Sequence, residues 1–217
     1  MKLRAPAPPR VPAVLEPATG GLVDDARLFE VALDDVAASG LTARAIEVKA
    51  ARLTRCALDG ARLTRLTLQD AELERCSLAN LLARDASMAR TRLHDCRLTG
   101  FAWPEGTIED VTFSGCQADL ASFGFARLNR VVFEDCILRE ADFQEARCGA
   151  VRFEGCDFTG ASFAGARMDG CELRRCRLDG VTGVEGLRGA ALEWSEIVGL
   201  AGTLAAALGL RVLDDEI

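Results

Sequence analysis

Nine cysteines occur in a chain of 217 residues, and seven of them, Cys56, Cys76, Cys96, Cys116, Cys136, Cys156 and Cys176, recur every twenty residues. Thiols at a fixed interval suggest disulfides, a metal centre or a nucleophile, and geometry decides among these. If residues twenty apart lie on neighbouring parallel strands, their side chains stack about 4.8 Å apart, longer than the roughly 3.8 Å between Cβ atoms of a disulfide. Tetrahedral zinc needs converging ligands, whereas a straight column brings together two thiolates at most and no histidine. The single histidine, His94, falls at an outward place among Arg92, Asp95 and Arg97. It points away from every thiol, so no Ser/His/Asp or Cys/His set assembles. No phosphate-cradling Walker loop or dinucleotide fingerprint occurs either. The expectation is therefore no catalytic set, no metal and no cofactor. The cysteines read as small core residues, with all nine thiols shielded from a bulky reagent.

The elements that hold such a column follow from a shorter period. Stepping by five from Val23 to Gly183 visits thirty-three positions, of which twenty-seven are Leu, Phe, Val, Ile, Met or Trp and six are Ala, Cys or Gly. Two residues earlier in each quintet runs a second uncharged set of mostly Ala, Cys and Val, with Thr91 the only hydroxyl, and the other three places hold almost every charge. A period of five fits neither an amphipathic helix nor an alternating strand. It fits a chain that sends its first and third residues inward and then bends. Four such quintets make a square coil of twenty residues, and glycines at the fifth place, such as Gly60, Gly100 and Gly155, suit the bends. Residues twenty apart should then stack. Phe113, Phe133 and Phe153 form one column, and Phe123, Phe143 and Phe163 form another on the opposite wall.

Composition narrows the function classes. The formal net charge is −7. Residues 51–100 carry nine Arg against six acids and residues 101–150 four Arg against nine acids, so the acidity lies in the second half. A basic nucleic-acid groove is not expected, and direct nucleic-acid binding is excluded from the reading, whereas an acidic surface suits a basic partner. No apolar run reaches membrane-spanning length, and the N-terminus lacks a signal-peptide core, so a reducing cytoplasm is expected.

The quintets carry a family resemblance. The segments AEL at 71–73, ASF at 121–123 and 161–163, ADF at 141–143 and CDF at 156–158 match the pattern of a small residue, a polar residue and then Leu or Phe. On these the chain resembles the pentapeptide repeat family, and within it the bacterial quinolone-resistance proteins of the mycobacterial type. The resemblance implies an all-β fold, a right-handed quadrilateral parallel β-helix over residues 21–190. Departures are Arg in place of the usual polar second residue and the segment WPEG at 103–106, which brings Pro104 to a corner where a bulge is expected.

The two ends differ. Residues 1–20 hold five of the six prolines without the five-residue period and read as a mobile or loosely attached lead. Beyond residue 190 the period changes to 3.6. Glu193 to Leu208 is expected to form one helix, with Ile197, Leu200, Ala201, Leu204 and Leu208 on one face and Gly209 as its C-cap, followed by a tail to residue 217. That helix would cover the open end of the coils. The resemblance adds homodimerisation through the same helix, with Trp194, Ile197, Val198, Leu200, Leu204, Leu208 and Leu210 as candidate interface residues.

Two functional readings stay open. In one, Asp95, Glu109, Asp110, Asp119, Glu134, Asp135 and Glu154 form an acidic surface that imitates duplex DNA for a type II topoisomerase, DNA gyrase, as the resemblance implies. In the other, the rod is a cytoplasmic protein-protein scaffold with no topoisomerase role.

Overall fold

A computed structural model describes residues 3–210. The chain winds about eight turns of parallel β-solenoid. Five eight-residue strands, Glu47–Thr54, Thr67–Glu74, Ser87–His94, Thr107–Ser114 and Arg127–Glu134, pair side by side in parallel. Each pairs with the next at an offset of twenty, as in Leu68 with Met88 and Phe113 with Phe133. Shorter strands at Thr42–Arg44, Arg62–Thr64 and Leu82–Arg84 form a second wall in the same register. The twenty-residue interval of the cysteines is thus one circuit.

The bends are left-handed at every fifth residue. Twenty-three non-glycine residues, all at the fifth place of a quintet, have φ between 44° and 60°. Such conformations cost on the order of 1 kcal/mol or more each outside glycine. Most corners are repaid by a hydrogen bond to the next coil. The N–H groups of Arg55, Arg75, Asp95 and Asp135 donate to the carbonyls of Glu74, His94, Ser114 and Glu154 at 2.8–3.0 Å. Glycine is therefore favoured at the bends without being required there.

The core is a stack. Phe113 and Phe133 lie ring on ring at 4.6 Å and 3°, and Phe133 and Phe153 at 5.0 Å. Phe123, Phe143 and Phe163 form the opposite stack and meet the first edge-on, as in Phe123 against Phe133 at 5.8 Å and 77°. Every ring of the two stacks except Phe163 thus combines stacking along the axis with T-shaped contact across it, about 0.5–1.5 kcal/mol per pair beyond area burial. Trp103 is fully buried and stacks on Phe101 at 5.6 Å. A Cβ on Gly106 would sit 2.4 Å from the indole, so the large residue at 103 requires the absent side chain three positions on.

The cysteines do more than fill space. Each thiol of the column donates to the carbonyl twenty-three residues earlier, from Cys56 to Leu33 at 3.2 Å through Cys116 to Leu93 at 3.7 Å to Cys176 to Phe153 at 3.7 Å. The corners after residues 58, 78 and 98 close with a turn bond, such as Ala61 N–H to the Leu58 carbonyl at 3.1 Å. Among the described residues, the corner before each cysteine of the column has no such bond. A thiol from the next coil supplies the missing donor. Burial pushes the Cys171 thiol up to about 11 and the Cys148 thiol higher still. Eight thiols are buried, but Cys176 is only partly covered because the coil above it is incomplete. The expectation of nine shielded thiols is corrected there.

Three further expectations change. Pro104 lies one residue before the corner at Glu105 and produces no bulge. Trp103 and Glu105 N–H still donate to the Ser122 and Gly124 carbonyls at 2.9 and 3.0 Å, because the intervening place donates nothing to that ladder. Residues 3–18, expected to be loose, lie against the rod. Glu16–Pro17 pairs in parallel with Val31 and Ala32, and backbone N–H groups of Ala7 and Arg10 reach carboxylates of the coils. The terminal helix is two short ones, α1 (Trp194–Gly199) and α2 (Ala201–Ala207). They break at Leu200, which is flanked by Gly199 and Gly202, poor helix formers, and turns into the rod end. Gly209 closes α2 as expected, with Leu210 and Gly209 N–H donating to Ala205 and Ala206 carbonyls in a Schellman arrangement. The expected tail over 211–217 lies outside the described residues.

Two measurements check this packing. Phe133→Ala should lower stability by about 3–5 kcal/mol in urea unfolding, since the ring touches four others; a near-neutral change would reverse the inward assignment. A bulky thiol reagent should modify one cysteine of the native chain quickly, Cys176, and all nine after denaturation; several fast thiols in the native state would contradict the closed column.

Candidate functional site

With the interior filled, the chemistry available to other molecules lies on the edges and at the capped end. The seven candidate acids do not share one face. Asp95 and Asp135 stand at one corner of the square, with Glu134 and Glu154 immediately before it. Glu109 and Asp110 belong to the preceding corner, and Asp119 precedes the following one, at Leu120.

Their charges are also partly compensated. Arg130 reaches both Glu109 and Asp110, with Nε 2.7 Å from Asp110 Oδ1. Arg175 meets Glu154 at 2.8 Å, and His94 Nε2 lies 3.3 Å from Asp95. Among the described residues, Asp119, Glu134 and Asp135 enter no ion pair. The edge formed by Asp95, Glu134 and Asp135 is the part of the expected acidic surface that remains both grouped and exposed.

Asp110 belongs to a different structure. The corner it occupies runs Asp70, Arg90, Asp110, Arg130, one residue per coil. Arg90 grips Asp70 with two bonds of 2.7 Å, and Arg130 grips Asp110 with bonds of 2.7 and 2.8 Å. The Arg90 guanidinium holds the Asp70 carboxyl below the usual carboxylate range, and the Arg10 backbone N–H adds to the effect. Arg130 does the same for Asp110, with Ala7 N–H contributing. Asp70 is 4% exposed, so this ladder is internal to the docked N-terminal segment. Sequence reading missed it because charges at outward places look alike until the strand register assigns their neighbours.

The candidate interface residues at the far end divide in two. Leu200 is buried at 1% exposure and Leu204 packs against the core, so both belong to the cap. Leu200 is thereby removed from any surface, because it fills the open end of the last coil. Trp194, Ile197, Val198, Leu208 and Leu210 are exposed. Glu196 joins the two parts of the end. One carboxylate oxygen accepts Cys176 N–H from the last coil at 2.7 Å, and the other accepts Glu193 N–H at 2.7 Å as half of a capping box. Before the helices, the 3₁₀ turn Val184–Leu187 presses so closely on the rod that a Cβ on Gly186 would lie 2.0 Å from the Phe163 carbonyl. No helix among the described residues is long and apolar enough to cross a membrane, which says nothing of membrane barrels built from strands.

No curated protein matches the sequence. Similar solved structures include QnrB1, a plasmid-mediated fluoroquinolone resistance protein, at 17% identity over 85% of this chain and 99% of that one, with a TM-score of 0.33. Another is HetL, a pentapeptide repeat protein involved in heterocyst differentiation regulation from the cyanobacterium Nostoc sp. strain PCC 7120, at 15% identity over 77% and 87% of the two chains, with a TM-score of 0.32. The family model "Pentapeptide repeat region" matches residues 106–182, and "Pentapeptide repeats (8 copies)" matches residues 49–80. With its five-residue corners, four-walled coils and matching family models, the chain belongs to the pentapeptide repeat family.

Proposed function

We propose that the protein is a non-enzymatic interaction rod of the cytoplasm that binds a type II topoisomerase, DNA gyrase, as a mimic of duplex DNA and modulates it or protects it from quinolone-like inhibitors. The observation that carries the reading is the exposed edge of Asp95, Glu134 and Asp135 on the solenoid. Asp95 and Asp135 stand two coils apart on the same corner, about 9.6 Å along the axis, with Glu134 beside them, and a surface built to hold phosphates attracts anions so grouped. A homodimer formed through the exposed apolar residues of the terminal helices would double the length of that edge and give it twofold symmetry. Trp194 at 76%, Leu208 at 77% and Leu210 at 61% exposure are the residues such an interface would cover.

A second reading rests on a specific observation. Arg130 compensates Glu109 and Asp110, and Arg175 compensates Glu154, which interrupts any continuous anionic stripe. That arrangement favours a protein-protein scaffold with no topoisomerase role. A supercoiling assay separates the two. On the first reading, micromolar protein inhibits gyrase supercoiling or reduces fluoroquinolone-induced cleavage, and Asp135→Lys with Glu134→Lys abolishes the effect. If the native protein does neither, the mimic is rejected and the scaffold stands. The dimer is checked separately by light scattering after size exclusion: Trp194→Asp with Val198→Asp should halve the mass of the native species, and an unchanged mass would remove the helices from the interface.

A further inference from the structure

The N-terminal segment contacts the rod with a period of its own. Leu3, Pro6, Pro9, Pro12, Leu15 and Ala18 are each partly covered, at a spacing of three, and of the residues between them only Ala7 and Val11 are covered as well. Three residues per turn is the repeat of polyproline II, whose residues three apart share a face. The two backbone bonds follow the same count. Arg10 N–H donates to Asp70 Oδ1 at 3.1 Å and Ala7 N–H to Asp110 Oδ1 at 3.0 Å. Three residues of polyproline II advance about 9.3 Å, and two coils of the rod rise about 9.6 Å. Segment and seat therefore share one repeat.

The seat does not depend on its occupant. Each of its carboxylates is gripped by two bonds from the arginine of the next coil, so the ladder stays oriented and compensated without the segment. The occupant is held lightly. None of the described residues before Leu22 is buried.

We propose that the corner Asp70–Arg90–Asp110–Arg130 is a docking groove for an extended, proline-rich segment of a partner protein, and that residues 3–12 are its resident occupant, displaced when that partner binds. The ligand needs apolar residues or prolines on the contact face and two N–H groups three residues apart. The tethered occupant has an effective concentration of about millimolar order, which sets the level a competing segment must exceed. This surface is separate from the acidic edge and from the terminal helices, so it stands or falls independently of the topoisomerase reading.

The test uses the full chain. Ala7→Pro with Arg10→Pro keeps the polyproline II backbone and removes both donors, which loosens the occupant without touching the groove. A fluorescein-labelled peptide of residues 3–15 should bind this variant about tenfold or more tighter than it binds the native chain, read by polarisation. A peptide carrying the same two prolines should bind about tenfold more weakly than the native peptide. A nitroxide on the bound peptide should broaden amide signals along 50–150 at this corner and leave the opposite walls untouched. The proposal is overturned if the native peptide does not bind the variant, if both peptides bind alike, or if the broadening falls elsewhere. It is also overturned, in favour of exchange of the segment between two copies, if the native chain forms a concentration-dependent dimer that Ala7→Pro with Arg10→Pro abolishes.

Discussion

The structure depends on one hydrogen bond repeated around a square: the N–H of a left-handed corner residue donating to the coil above, as at Arg55, Leu120 and Phe125. Without that bond the positive φ at residues as bulky as Arg55, Leu120 and Phe125 would have no return for its cost. With it, the bend occurs at a fixed count of five, the coil closes at twenty, and every column in the protein follows. The aromatic stacks, the thiol column and the Asp–Arg ladder all result from the same register, seen on different walls. The register also explains the regularity of the sequence. An insertion of one residue would turn the following first and third places outward and break each column at once.

Much of this was legible in the residues. The five-residue period fixed which side chains point inward, and the phenylalanine columns follow from it because stacking requires only the interval and the wall. The closed end was legible too, since Leu200, Leu204 and Gly209 carry helix signals that survive the break between α1 and α2. Other parts depended on atoms that a pattern does not locate. The role of Cys116 and its neighbours as donors to the Leu93 type of carbonyl needs knowledge of which corners lack a turn bond. Likewise, Leu200 and Leu208 occupy the same helical stripe, yet Leu200 at the N-terminal end of α2 is buried in the rod end and Leu208 at the other end of α2 is exposed.

The N-terminal segment shows a different reason for divergence. Its prolines break the period of five, and proline richness with low hydrophobicity is the ordinary mark of a mobile lead. Yet Pro6, Pro9 and Pro12 carry a period of three, and that period is commensurate with twice the coil rise. The signal was present in the sequence, but its meaning depended on a surface that only the folded rod provides. The acidic residues are similar. Asp95 and Asp110 look equivalent as letters, but one faces solvent at its corner and the other is held beneath Ala7 N–H by Arg130.

Glu196 marks where the repeat ends. A parallel solenoid has no intrinsic length, because its last coil offers the same row of donors and acceptors as any other, and a second molecule could continue the ladder. Here a single side chain occupies a donor of that row, at Cys176, while its other oxygen secures the first turn of the helix that covers the end. The carboxylate therefore acts as a terminator. It couples the boundary of the rod to the folding of the helix, so that a molecule with its end uncapped would be a template for end-to-end fibres, and one with its end capped stays at a defined number of coils.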